Sequence, residues 1–362
     1  MTPRLITPIG AVGVAVTVFA LLAASYFLAK TPGDVLGEDL VPLAQVATDR
    51  EEVGYTLPAG RSAGDIGSDL ERLGVIGSGQ QFEFLVSLVG VQQRLSTGDY
   101  LLRKNSSALT VVRELTVKEQ IPVLKVTFPE GIRIEEMAII AEKAGFGSRE
   151  SFMAATKAAE LPPGFVEAFP AGESLQGYLF PDTYIMPVGS TAELLVDYML
   201  RTLDRRFSPE LRLAAKSQGL NTHQALTLAS IVEREAVLEP ERARIAGVFY
   251  NRLAAQDMLG ADPTVQYAVS LIAGSVEQFG YWKKDLTLVD LKLASPYNTR
   301  EVPGLPPGPI ANPGLASIEA VANPEKTDFY YFVADAKAND GSHVFAVTLA
   351  EHERNIQQYG TP

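Results

Sequence analysis

Residues 5–28 carry no charged side chain and are bounded by Arg4 and Lys30. A helix over that stretch, at roughly 1.5 Å per residue, spans a hydrocarbon core of about 30 Å. A cleaved signal peptide usually has an apolar region of only about 7–15 residues, so Ala23-Ala24-Ser25 is read as a chance likeness to a cleavage site. Arg4 lies on the short side, and Asp34, Glu38 and Asp39 follow the span. The positive-inside bias then keeps residues 1–4 in the cytoplasm and exports the rest of the chain. The expectation is a single-pass protein of the cytoplasmic (inner) membrane that works outside it.

The remainder reads as globular: 46% of residues are hydrophobic and 20% charged. A formal net charge of −12 gives no basic excess to neutralise phosphates, which argues against nucleic acid as a partner. There is no cysteine, so no disulfide framework and no thiolate metal site. Three histidines, at 223, 343 and 352, leave little material for a metal centre, and no cofactor is expected.

Residues 29–51 mix Pro, Gly, Asp and Glu and read as a linker. Glu52–Leu57 has the pattern of a strand. Ser62 and Ser78 can cap two helices, and short strands at 98–102 and 121–128 flank a helix at 108–115. The order β-α-α-β-α-β does not alternate as a doubly wound sheet does, so the fold class is α+β. After Phe128 the spacing is mostly helical: Ile134–Lys143, Arg149–Ala158, 192–207, Pro209–Ser217 and 240–256. Residues 175–187, LQGYLFPDTYIMP, read as a structured loop or short strand. The C-terminal part returns to strand at 329–334 and 343–348 around the turn Asn339-Asp340-Gly341.

Chemistry concentrates in residues 226–309, which read LTLASIVERE, DPTVQY, SPYNTR and GLPPGPI. Asn221 and Gln224 form a capping box for the first of these, an apolar helix that closes on two acids. At 100° per residue Glu233 lies with Leu226, Ala229 and Ser230, while Glu235 points nearly opposite with Leu228, Ile231 and Val232. Both faces are apolar, so periodicity does not choose between the acids. One of them, desolvated, can serve as a general acid for glycosidic cleavage. The plainer alternative is that both are capped or ion-paired by Arg234, Arg242 or Arg244. The DPTVQY and SPYNTR segments, read as loops, supply hydroxyl, amide, carboxylate and phenol groups suited to sugar hydroxyls and N-acetyl amides. Ser230 lacks the G-x-S-x-G elbow of a serine hydrolase. His352 has no partner histidine at i+4 and reads as part of an exposed helical face. His343 reads as a strand histidine bonded to backbone, and Trp282 as packing rather than sugar stacking.

Taken together, YTLPAGRSAGDIGSDLERLGVI, FPEGIRIEEMA, LQGYLFPDTY, LASIVEREA, FYNRL, DPTVQYA, SPYNTR, GLPPGPIANPG, YYFVAD and GSHVFAVTLAEH occur in that order. In this combination the chain resembles the endolytic murein transglycosylases of the YceG-like (MltG) family. The resemblance implies a membrane-anchored lytic transglycosylase that cuts peptidoglycan glycan strands internally between N-acetylmuramic acid and N-acetylglucosamine. It would leave 1,6-anhydro ends and terminate or trim nascent strands, with peptidoglycan synthases as partners. It also implies a LysM-like subdomain, here 52–119, before a catalytic domain, 120–362. Carried over on the motif, the catalytic acid falls on Glu233, and Glu235 becomes structural or secondary. Asp262, Thr264, Gln266, Tyr267, Tyr297 and Asn298 fall in motifs that line the family's cleft. Three positions depart from the family pattern: Gln176 stands where a glutamate is expected, Gly260-Ala261 where a glutamine is expected, and Arg300 where an aromatic is frequent.

Overall fold

The structure, a computed structural model, describes residues 52–116, 122–170 and 174–360. The membrane-span and linker expectations lie outside the described residues. Among the described residues no helix is long and apolar enough to cross a membrane. The described residues are α+β, with three two-stranded sheets among many helices. It divides into two compact units, one ending at Leu124 and including Ile185–Val188, the other holding Lys125–Tyr184 and the chain from Gly189 onward.

In the first unit, β1 (Glu52–Leu57) pairs antiparallel with β2 (Gly98–Arg103), Glu52 opposite Arg103 and Leu57 opposite Gly98. The helices Ala63–Arg72 and Gly79–Val89 start at Ser62 and Ser78, whose hydroxyls accept from the third residue of each helix, as the sequence predicts. The two helices approach closely at a pair of glycines: a Cβ on Gly67 would lie 2.5 Å from the Gly79 carbonyl oxygen. Tyr55, Leu57, Ile66, Leu70, Phe82, Val86, Leu102, Val111 and Leu115 form the buried core beneath.

The second unit is built on the Thr222–Glu235 helix. Its Asn221–Gln224 capping box is present, and Ala225 through Val232 are all buried. The Arg242–Ala254 and Leu315–Ala322 helices pack against it and against each other. The first of these is shorter than the predicted 240–256, because Glu239–Glu241 forms a separate 3₁₀ turn. DPTVQY is not a loop. It opens a helix, Asp262–Ser270, with Pro263 in the first turn, where its missing N–H costs nothing. The strands Tyr331–Ala334 and His343–Ala346 pair antiparallel, and the Leu349–Tyr359 helix packs on both.

Buried polar ties hold the segments of the second unit together. Asn312 Oδ1 accepts from Gly177 N (2.9 Å) and Leu179 N (3.1 Å), while its Nδ2 donates to Ile132 O (3.0 Å). His223 bonds Tyr178 through Nδ1 (2.9 Å) and the Pro307 carbonyl through Nε2 (2.8 Å). Ser230 accepts from Ile310 N at 3.0 Å. Each tie satisfies buried groups whose loss would cost about 1–3 kcal/mol, and each joins segments that are remote in sequence.

Candidate active site

Glu233 and Glu235 end the same helix and face different surroundings, as their angular separation predicts. Glu233 Oε2 accepts from Gly314 N (3.0 Å) and from the Ser317 hydroxyl (2.7 Å). Its Oε1 lies 3.5 Å from Arg242 Nη2, and the side chain is 7% exposed. Gly314 precedes the Leu315–Ala322 helix, so the Glu233 carboxyl meets a helix N-terminus. A second carboxylate, Glu130, packs where Gly314 has no side chain. Burial pushes the Glu130 carboxyl up, and the charge of Glu233 adds to the effect while Arg242 opposes it. The sequence reading gave Glu130 no role; its only signal is the FPEG segment in which it stands.

Glu235 opens into a cavity of about 460 Å³. Arg252, Gly260, Asp262 and Arg300 line it together with Tyr331, Phe332, His343 and His352. The Glu235 carboxyl is pushed up to about 8, first by desolvation and then by Asp262; Arg300, Arg252 and Arg234 pull the other way. A carboxylic acid with that value is protonated at neutral pH and can donate.

The two histidines of the cavity differ from their sequence readings. His352 is not on an open helical face: its ring stacks on Tyr331 at 5.1 Å, and its Nδ1 is buried with no partner among the described residues. Burial and Arg252 push its pKa down. His343 is held by a carboxylate rather than by backbone, with its N and Nδ1 on the two oxygens of Glu241 at 3.0 and 2.8 Å.

The other predicted residues divide by role. Asp262 lies in the cavity wall and accepts from Arg300 Nε at 2.6 Å. Thr264 and Asn298 are fully buried braces. Thr264 Oγ1 meets Thr299 Oγ1 at 2.8 Å, and Asn298 Nδ2 donates to the carbonyls of Leu291 (3.0 Å) and Leu293 (2.9 Å). Gln266 Nε2 donates to Lys283 O at 2.9 Å. Tyr267 and Tyr297 pair at 4.7 Å, with the Arg133 guanidinium 4.5 Å from the Tyr267 ring, apart from the residues that line the cavity. Trp282 packs as expected, under Arg234 (4.0 Å) and bonded to Glu136 (3.1 Å). Gln176 is buried and accepts from Ile134 N at 3.1 Å, so this departure does not touch the cavity. Gly260 does: its φ of +65° favours glycine, and a Cβ would come within 3.0 Å of Arg252 Nη1. Among the described residues no group of histidine, aspartate and glutamate is arranged to hold a metal ion.

The sequence profile of the YceG-like family matches residues 55–358. The chain belongs to the YceG-like family. Two relatives carry the description "Endolytic murein transglycosylase". The one from Streptococcus pneumoniae serotype 2 (strain D39 / NCTC 7466) is 31% identical over 344 residues, covering 89% of this chain and 60% of that protein. The one from Bacillus subtilis (strain 168) is 33% identical over 320 residues, covering 85% and 84%. This YceG-like chain thus spans about 60% of the length of its pneumococcal relative. A crystal structure of a yceG-like protein from Listeria monocytogenes superposes with a TM-score of 0.55 at 32% identity, covering 84% of this chain and 99% of that one.

Proposed function

We propose that this chain is an endolytic lytic transglycosylase of peptidoglycan and that Glu233 is its acid. What supports the assignment is the place of Glu233 in the LASIVE motif and the geometry of its carboxyl: Oε2 is held by Gly314 N (3.0 Å) and the Ser317 hydroxyl (2.7 Å), which leaves Oε1 for proton transfer. The relatives' shared description supplies the substrate class. Glu235, pushed up to about 8 and lining a cavity with Asp262 and Arg300, supports a second assignment.

In this reading protonated Glu233 donates to the oxygen between N-acetylmuramic acid and N-acetylglucosamine. The C1–O bond breaks through an oxocarbenium-like state, and the N-acetylglucosamine leaves with the proton. The C6 hydroxyl of the muramic acid then attacks its own C1, and the ionised Glu233 takes the hydroxyl proton. One carboxylate acts as acid and then base, no water enters, and a 1,6-anhydro end results. Glu130, a second carboxyl near Glu233, favours one competing reading: a hydrolase in which Glu130 activates water. The apolar span at residues 5–28 serves as the membrane anchor in this proposal, with the site on the outer side, near peptidoglycan synthases.

Mass spectrometry of glycan released from purified sacculi tests both halves. Anhydro ends support the lytic reaction, and reducing ends select the hydrolase. Glu233→Gln is expected to lose at least 100-fold in kcat, the scale of general acid catalysis. Full activity in Glu233→Gln together with loss in Glu235→Gln would move the acid to Glu235.

A further inference from the structure

Glu130 stands beside Glu233 because two glycines leave room for both side chains. Gly314 donates its N–H to Glu233 Oε2 at 3.0 Å, and a Cβ on Gly314 would overlap the Glu130 carboxyl. Gly131, at φ +73°, has the same effect from the neighbouring segment: a Cβ there would lie 3.3 Å from Glu233 Cγ. The backbone next to Glu130 is fixed. Gly131 N donates to Asn312 O at 2.8 Å, and Asn312 N to Ile132 O at 2.9 Å. The Glu130 carboxyl itself is not tied down. Glu130 is exposed, and among the described residues it has no hydrogen bond and no ion pair. The Glu233 side chain, by contrast, is 7% exposed and accepts from two donors.

An unpartnered acceptor next to the acid meets whatever flanks the oxygen that the acid protonates. That oxygen is O4 of N-acetylglucosamine, and its neighbours on the same ring are the hydroxyls on C3 and C6. The glycan alternates two glycosidic bonds, and they differ at one of these places. Beside O4, N-acetylglucosamine offers a free C3 hydroxyl, whereas N-acetylmuramic acid carries its lactyl ether there. The hydroxyl can donate to Glu130 and the ether cannot. A carboxyl keeps an acceptor oxygen whether or not it is ionised, so this distinction does not depend on the charge of Glu130. A site built to bond a substrate hydroxyl discriminates strongly against a group that lacks it. The C6 hydroxyl is common to both sugars and carries no such information.

We propose that Glu130 determines which of the two alternating bonds is cut, by accepting a hydrogen bond from the C3 hydroxyl of the N-acetylglucosamine that leaves. The inference rests on the lytic reading with Glu233 as the acid. Glu130 neither gives nor takes a proton in the reaction. Without it the glycan can slip by one sugar. Glu233 then protonates O4 of N-acetylmuramic acid, and the C6 hydroxyl of N-acetylglucosamine closes on its own C1. That cut leaves a 1,6-anhydro-N-acetylglucosamine end in place of a 1,6-anhydro-N-acetylmuramic acid end.

Calorimetry on the full-length Glu233→Gln protein in detergent separates recognition from turnover. The probes are an alternating oligosaccharide of N-acetylmuramic acid and N-acetylglucosamine, and the same compound built with 3-deoxy-N-acetylglucosamine. The expected result is about tenfold tighter binding of the hydroxyl form, the scale of one hydrogen bond. Adding Glu130→Ala abolishes the preference, and Glu130→Gln, which keeps a carbonyl acceptor, retains part of it. A purely structural role would weaken both probes alike and leave their ratio unchanged. With Glu233 intact, mass spectrometry of cleaved glycan is expected to show anhydro-N-acetylglucosamine ends in Glu130→Ala and none in the unsubstituted protein. A thermal melt of each variant confirms that it is folded. No preference in the Glu130 protein, a preference that survives Glu130→Ala, no saccharide binding at all, or ends that stay entirely muramoyl in Glu130→Ala overturns the proposal. Reducing ends that disappear with Glu130→Ala overturn it too, because Glu130 would then be a base for water. A protein that shows the preference but whose parent cleaves no glycan overturns the lytic reading and leaves Glu130 as the group that reads the C3 hydroxyl. Cleavage without the preference does the reverse.

Discussion

At the residue scale, two glutamates two positions apart have different chemistry because different atoms surround them. Glu233 has hydrogen-bond donors from Gly314 and Ser317 and the cation of Arg242, whereas Glu235 has a desolvating wall and the negative charge of Asp262. The second environment has a consequence for stability. An unfolded glutamate titrates near 4.3, and folded Glu235 near 8. Between those values the folded state holds a proton that the unfolded state has released. Its contribution is therefore full below about pH 4 and is lost as pH rises toward 8, by up to about 1.4 kcal/mol per pH unit. Glu235→Gln removes the titration. Thermal melts are expected to show the variant gaining on the wild type as pH goes from 5 to 8; parallel curves would mean that Glu235 is not desolvated. Asp262→Asn removes a charge that raises Glu235, so the pH range over which this stability is lost is expected to move to lower pH in the same melts.

At the element scale, caps were legible and tertiary turns were not. Ser62, Ser78 and Asn221 start helices where the sequence predicts, because a cap depends only on residues three apart. DPTVQY was misread as a loop because Asp-Pro opens turns and first helical turns alike. SPYNTR is a loop whose polar groups mostly face inward, holding it to the Asp262–Ser270 helix. Asn298→Ala leaves the carbonyls of Leu291 and Leu293 and the N–H of Arg300 without this partner. A loss of about 2–3 kcal/mol in denaturant unfolding is expected, together with a rise in KM as the SPYNTR loop loosens. Asn221→Ala, at the far end of the Glu235 helix, serves as the comparison. It is expected to lose about 1 kcal/mol with kcat/KM retained, and an equal fall in activity in both variants would make the loop no more than a stability element.

At the scale of the whole molecule, each unit has its own buried core, and all residues of the candidate site belong to the second. Leu70→Ala in the first unit is expected to cost about 2–5 kcal/mol, as buried leucine truncations do, and to leave the pH–rate profile of the folded enzyme in place. A displaced profile would show that the first unit acts on the acid. The span at residues 5–28 makes a further prediction. Removing residues 1–30 is expected to shift the protein from the membrane fraction to the soluble fraction, and retention in the membrane would rule out that stretch as the anchor.

The sequence by itself determined the α+β class, the capped helices, the opposed directions of Glu233 and Glu235, and the ordered motifs of the YceG-like family. All of these follow from residues near one another in the chain, or from the order of short segments. It did not determine which glutamate is desolvated. Desolvation and Coulomb forces act through space, and the groups that set Glu235 apart, Arg252, Asp262 and Arg300, are 17 to 65 positions away along the chain. Only the folding of the Asp262–Ser270 helix, the SPYNTR loop and the paired strands Tyr331–Ala334 and His343–Ala346 around one cavity brings them within range of Glu235, while Gly314 and Ser317 close over Glu233 on the opposite face.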